Sequence, residues 1–396
     1  MDANFVKPLY DAGGFAGLPR RILKMASSGD HDAVVVFLID GFGWRFFEKY
    51  QHAPFLRQVT RDGRVSRLTS QFPSTTAAHV TTIHSGLPVG EHGVYEWYYY
   101  EPALDAVIAP LLFSFAGAFQ RETLKSTRIS PARLYPEATF YRQLKKHGVD
   151  ATVFQSRDYT PSTYSNAVMA GARMVGFRTL AEGLVNLGEA LANSAAPAYY
   201  LFYFDKIDAV CHEYGPGAPQ LEAEILSFLL AMENIFLTAQ AASKKRIQFL
   251  LTADHGLSET DPQTTIYLNR DPDFAGVARF LQTNRRGERI VPAGSARDFF
   301  LHIEPNALEE ARAFLSSRLE GRAEVRTVVE LAGAGYFGPV ISPAFQGRVG
   351  NLVILPYRGE SVWWYEKDRF EQRFRGHHGG LTKEEMEIPL VTWEMG

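Results

Sequence analysis

A chain of 396 residues is long enough for two or three domains at roughly 150 residues each, or for one large α/β domain carrying an insertion. Its 46% hydrophobic and 21% charged residues exclude a largely disordered chain, and 33 Gly with 21 Pro are too few for a collagen-like or low-complexity one. A net charge of −3 leaves no basic excess to grip a nucleic-acid polymer, and one cysteine, Cys211, makes neither an internal disulfide nor a thiolate-built zinc site.

The first fourteen residues lack an apolar core of signal-peptide length. No clean apolar run approaches the ~20 residues that cross a bilayer, so the expectation is a cytoplasmic protein with no membrane contact. Residues 33–39 (AVVVFLI) form a β-branched apolar run ending at Asp40, the pattern of a strand buried on both faces of a parallel sheet. Residues 97–130 are aromatic and punctuated by proline, which predicts an irregular lid or rim. A helix is expected over 138–147, stopped by Gly148, then short strands over 151–154 and 198–204. A longer helix follows over 221–243, and a strand over 247–253 runs into Asp254–His255. Alternating strands and helices predict a doubly wound, mostly parallel α/β sheet flanked by helices. Residues 262–375 read differently: strand over 298–303, helix over 306–319, strand over 323–330, and a hairpin from 351–355 and 361–365. They predict a smaller α+β insertion, leaving 1–261 and 376–396 as the catalytic core.

In such sheets ligands gather beyond the carboxyl ends of the strands. Asp40, Asp208 and Asp254–His255 all fall at or just past predicted strand ends. Asp208 and His212 stand one helical turn apart, and His377–His378 lie among glycines near the end of the chain. Oxygen and nitrogen donors without thiolates suit zinc or manganese, and two such groups suit a two-metal clamp on phosphoryl transfer. Each piece alone is weak, because an Asp at a strand end is more often a turn or helix cap. His79 and His84 are five apart, a poor spacing for one helix face, and read with the other histidines as surface or core residues. In FPSTTAAHVTTIHSG (residues 72–86) a helix begins near Thr75 or Thr76, so their hydroxyls, with that of Ser74, either cap it or face a bound phosphate at its positive end.

Taken in order, Asp40–Gly41–Phe42–Gly43, FPSTTAAHVTTIHSGLPVGEHGV (72–94), YFDKIDAVCHEYGP (203–216), LLTADHG (250–256) and GHHGGLTKEEMEIPL (376–390) resemble the alkaline phosphatase superfamily. Within it the chain looks most like the type I phosphodiesterase/nucleotide pyrophosphatase family, over roughly 30–260 and 376–396. The resemblance implies that Thr76, ten residues before Gly86, is the nucleophile, with Thr75 in a capping role. It implies one zinc at Asp40, Thr76, Asp254 and His255, and another at Asp208, His212 and His378, with manganese as the alternative metal. Asp205 falls outside that set. The expected reaction is hydrolysis of a small phosphate ester, a nucleotide among the candidates, through a phosphothreonine, with a diester preferred. Related readings are a phosphonoacetate hydrolase, a monoesterase, a mutase, or a metal-binding protein without turnover. Family members often place an Asn on a phosphate oxygen where this chain has Trp97, so Trp97 and Tyr98 are expected instead as an aromatic rest for the substrate. The diester preference follows from the cations, since none lies between Arg67 and Val94 and the nearest in sequence are Arg45 and Lys206.

Overall fold

A computed structural model describes residues 4–195, 197–243 and 245–396. Its centre is a seven-stranded sheet built from β1 (Ala33–Ile39), β2 (Arg64–Thr69), β3 (Asp150–Ser156), β4 (Arg173–Phe177), β5 (Ala198–Phe204), β6 (Ile247–Thr252) and β11 (Glu387–Met395). The spatial order is β2-β11-β6-β1-β5-β3-β4. Neighbours from β6 to β4 pair in parallel, and only β11 runs against both of its neighbours. Every residue of β1, β5 and β6 is buried. That is why these segments read as unbroken apolar runs: helices cover both faces of the sheet.

The helix expected over 221–243 begins at Pro219, passes through a π-helical stretch, Met232–Leu237, and ends at Ser243. Over Pro219–Ala242 it has the length and composition of a membrane span, with mean hydropathy 1.5 and 28% of that window buried. Glu222, Glu224 and Glu233 hide this from a search for clean apolar runs. In the fold its inner face packs on the sheet, with Phe228 against Phe204 and Phe236 against Phe37.

Residues 293–356 form a second sheet from β7 (Ala293–Ser295), β8 (Asp298–Leu301), β9 (Ala323–Thr327) and β10 (Leu352–Pro356), in the order β7-β8-β10-β9 and antiparallel throughout. One face, with Phe299, Leu301, Val325 and Ile354, closes on the helix Leu308–Arg318 in its own core. The other, with Phe300, Val353 and Leu355, joins the main core. The period of two lets one strand serve both. The expected hairpin between 351–355 and 361–365 does not form. β10 already has a neighbour on each edge, so Val362–Trp363 pairs in parallel with Ile266–Tyr267 instead. The strand expected over 323–330 ends at Thr327, whose side chain caps a short helix, Val328–Gly333. Residues 97–130 hold a small sheet of Tyr99–Glu101, Ala106–Ala109 and Ser114–Phe115 joined by turns.

Candidate metal centre and its cavities

Helix α1 (Thr76–Ser85) starts beside the carboxyl ends of the central strands. Thr75 is its N-cap: buried, its Oγ accepts from the Ala78 amide at 3.4 Å and donates to the Tyr95 carbonyl at 3.1 Å. Thr76 is half-buried and spends nothing on the cap. Its Oγ lies 3.5 Å from Asp40 Oδ1 and 3.2 Å from His255 Nε2. Of the two neighbouring hydroxyls, only Thr76 faces the acidic cluster and the positive end of the helix at once.

Asp40 follows β1, and Asp254–His255 follow β6. Asp254 Oδ1 is fixed by the amides of Gly41 at 3.1 Å and His255 at 2.9 Å. His255 Nε2 sits 3.4 Å from Asp40 Oδ1 and 3.3 Å from Asp254 Oδ2, while Tyr203 donates its hydroxyl to the other oxygen of Asp40. Asp208 and His212 lie on helix α2 (Lys206–Tyr214), which leaves the end of β5. Their side chains meet at 3.1 Å, and His378 Nε2 approaches Asp208 Oδ1 to 3.7 Å. The two groups touch, since the rings of His255 and His378 stack with centroids 3.7 Å apart. His377 lies outside both, its Nδ1 accepting from the His378 amide at 2.9 Å.

The three ring orientations share a cause. Nδ1 of His212 points at the Gly376 carbonyl (2.7 Å), that of His255 at Gly256 (3.0 Å) and that of His378 at Ser74 (3.0 Å). A carbonyl only accepts, so each Nδ1 carries a proton and each Nε2 is the nitrogen left facing the site. Asp208 Oδ1 and Asp254 Oδ2 are buried without a hydrogen-bond partner. Burial pushes the Asp254 carboxyl up to about 7. Burial, then the charges of Asp254 and Asp208, raises Asp40 well above the usual carboxylate range. Burial also holds His255 and His378 well below an ordinary imidazole. Burial opposes the charge on Asp208, but His212 beside it outweighs this and brings it below its ordinary value. Acids crowded without a cation, the neutral imidazoles of His255 and His378 aimed inward and orphaned oxygens are what a divalent metal would satisfy. Asp40–Asp254–His255 and Asp208–His255–His378 each bring three such donor atoms within 4.8 Å of one another.

Two cavities open on Thr76. The larger, about 660 Å³, is lined by Trp97, Tyr98, His212, Phe374 and His378. The smaller, about 280 Å³, is lined by Asp40, Trp97, Arg121, Tyr159 and Asp205. Trp97, 40% exposed, borders both, and Phe374 covers the His212 ring at 4.2 Å. Asp205 accepts from Tyr159 at 3.2 Å. The cations that line the two cavities, Arg369 and Arg373 in the larger and Arg121 in the smaller, are not those expected from sequence. Arg45 rests on the Phe46 ring and Lys206 pairs with Asp205, whereas Arg121 reaches the smaller cavity from the irregular segment. No local pattern betrays it, nor Phe374 or Tyr203. Glu96 had a visible signal, as an acid within an otherwise apolar and aromatic stretch.

The sequence pattern of the type I phosphodiesterase/nucleotide pyrophosphatase family matches residues 34–381. The chain belongs to this family. The match runs through residues 262–375, which the motifs alone left outside the resemblance. Among curated proteins no sequence matches significantly. Among solved structures, murine ectonucleotide pyrophosphatase/phosphodiesterase 5 is similar, with TM-score 0.67 and 16% identity over 91% of this chain and 87% of that one. An inactive form of that protein, solved in complex with AMP, gives TM-score 0.67 and 15% identity over the same shares. Phosphonoacetate hydrolase from Sinorhizobium meliloti, in complex with phosphonoacetate, gives TM-score 0.63 and 16% identity over 91% and 90%. At such identities the likeness carries the fold, which is that of the alkaline phosphatase superfamily, and the family match makes the chain a phosphoric ester hydrolase with candidate divalent-metal sites.

Proposed function

We propose that the chain is a two-zinc phosphodiesterase acting on small esters, with Thr76 as nucleophile and manganese as the alternative metal. The observation that carries this reading is the placement of the Thr76 hydroxyl, within 3.5 Å of both Asp40 and His255 and open to two cavities. Asp40, Thr76, Asp254 and His255 would hold one ion, and Asp208, His212 and His378 the other. Once bound, such ions lower the pKa of a hydroxyl ligand and offset charge on both oxygens of an in-line displacement. The chain's own residues do the rest. Tyr203 fixes Asp40, and the start of α1 directs backbone amides at the phosphate. Thr76 Oγ attacks phosphorus as the bond to the leaving oxygen breaks, its proton passing through solvent to the departing alcohol, which leaves a phosphothreonine that keeps the other ester group. Water then attacks the same phosphorus, returning the Thr76 hydroxyl and releasing the monoester. A diester has two ester groups to place, and there are two cavities, with Trp97 and Tyr98 offering an aromatic rest.

The test compares kcat/KM for an aryl phosphodiester and its monoester. The expected ratio is at least about tenfold in favour of the diester, ~1.4 kcal/mol of differential transition-state binding, reduced in Trp97→Ala. A second reading has its own observation. Arg121 puts a positive charge in the cavity next to Thr76 and suits a dianion or a substrate carboxylate, as in a monoester or a phosphonate such as phosphonoacetate. Equal or better monoester or phosphonate turnover, lost in Arg121→Met, would favour it.

A further inference from the structure

The loop that carries His378 is held from both sides. On one side it is stitched to the segment just ahead of the nucleophile. Ser74 Oγ donates to the Gly380 carbonyl at 2.7 Å and accepts from the Gly379 amide at 3.2 Å, and the Ser74 carbonyl holds His378 Nδ1. On the other side stands the turn between β7 and β8, residues 295–298 of the insertion. Ser295 Oγ lies between the His378 carbonyl, at 3.2 Å, and the closer Asp298 Oδ1, and its one proton is shared between them. Gly379 passes so close to this turn, at φ 124°, that a Cβ there would lie 2.5 Å from both Asp298 Oδ1 and Ser295 Oγ.

Arg297 in the same turn is fully buried and has the largest side chain that is. Its Nε and Nη2 grip both oxygens of the equally buried Glu385 at 2.9 Å, and its Nη1 donates to the carbonyls of Tyr357 (2.7 Å) and Glu360. Glu385 in turn accepts from the Gly380 amide at 3.0 Å and the Thr382 hydroxyl at 2.6 Å, and its carbonyl accepts from the amide of Gly256, next to His255, at 2.8 Å. The planar fork thus ends on the one carboxylate that anchors the far end of the His378 loop.

We propose that Arg297, with Ser295, is a positioning residue for the metal held by Asp208, His212 and His378, so that the insertion completes the metal centre as well as walling the cavity. Only the Arg fork can satisfy both Glu385 oxygens and the two carbonyls together, so the loop's position is set by bidentate geometry and not by charge alone. A residue that orients a ligand in this way changes metal affinity without touching the metal, typically tenfold or more. The inference rests on the two-metal reading above.

The test titrates the zinc-loaded full chain with a competing chelator and follows zinc release. The two release steps are assigned with His212→Ala and Asp254→Asn. In Arg297→Lys, which keeps the charge and loses the fork, the step belonging to Asp208, His212 and His378 is expected to move to at least about tenfold weaker chelation while the other step stays in place. Arg348→Lys is the control for general loosening, because Arg348 makes a buried 2.8 Å pair with Glu101 and has its hydrogen-bond partners, Glu101, Gly93 and Arg133, outside this loop. It should move neither step. If Arg297→Lys does not fold, Ser295→Ala decides, with a smaller shift of the same step expected. Release profiles matching the unmodified protein, or equal shifts of both steps in the Arg297 and Arg348 variants, would overturn the inference and leave the two-metal reading standing. An unmodified chain that takes up no zinc would overturn both.

Discussion

At the scale of single residues, the hydroxyl of Thr76 is the group whose loss should matter most. Thr76→Ala is expected to abolish turnover while circular dichroism and the melting temperature stay close to those of the unmodified chain, because no cap or core contact is removed. Glu96 makes a different prediction. Burial pushes its carboxyl up to about 8, with the Trp97 amide and Asp298 as its partners, and Asp298 is itself raised by burial and by the Glu96 charge. No lysine or arginine pairs with Glu96 or Asp298 among the described residues. The folded state therefore binds more protons than the unfolded one between the ordinary value of 4.5 and about 8, and stability from this site is lost as pH rises through that window. Glu96→Gln, which imitates the protonated acid, should melt higher than the unmodified chain by a margin that grows from pH 6 to pH 9, as read by thermal scans with metal removed. A margin independent of pH would show that Glu96 is not protonated when folded.

At the scale of elements, Thr75 supports helix α1. Thr75→Ala should cost about 1 kcal/mol in denaturant unfolding and leave kcat within severalfold of the starting value. A dead Thr75→Ala beside an active Thr76→Ala would shift the nucleophile by one residue. The elements also show how far the sequence could be read. β1, β5 and β6 announced themselves, because a strand buried on both faces must be apolar throughout, and the acidic residues that end them stood out against that background. Asp208 and His212 were legible because one helical turn separates them. β10 misled because its partners are set by the whole four-stranded sheet and not by the nearest segment in the chain. Arg121 was invisible for a related reason. It stands on a strap of short strands and turns whose path over the site depends on tertiary packing, so no spacing rule ties it to Thr76.

At the scale of the whole molecule, the metal centre couples chemistry to folding. Without metal, Asp254 stays protonated up to about 7, so what this group adds to stability is lost as pH climbs from about 4 to about 7, while the buried neutral imidazoles of His255 and His378 act in the opposite sense. Binding needs the carboxylate and neutral imidazoles, so zinc affinity should rise with pH over the same range and level off above it. Zinc competition titrations and melting curves at pH 5.5, 7 and 8.5 check this trend, and the rise in melting temperature on loading zinc should be larger at pH 8.5 than at 5.5. The position of β11 has a further consequence, for how the chain reaches this state. β11 lies between β2 and β6, pairing Glu387 with Thr69 and Leu390 with Thr252, so both contacts close long stretches of chain. Until it arrives, β2 has no partner in the sheet and β6 shows an open edge, so a refolding chain passes through a stage with two unpaired strand edges and a half-built site. His378 and the strand that closes the sheet come in together. Refolding and recovery of tight metal binding should therefore share one slow step, and that interval is when the chain is most exposed to edge-to-edge association with its own copies.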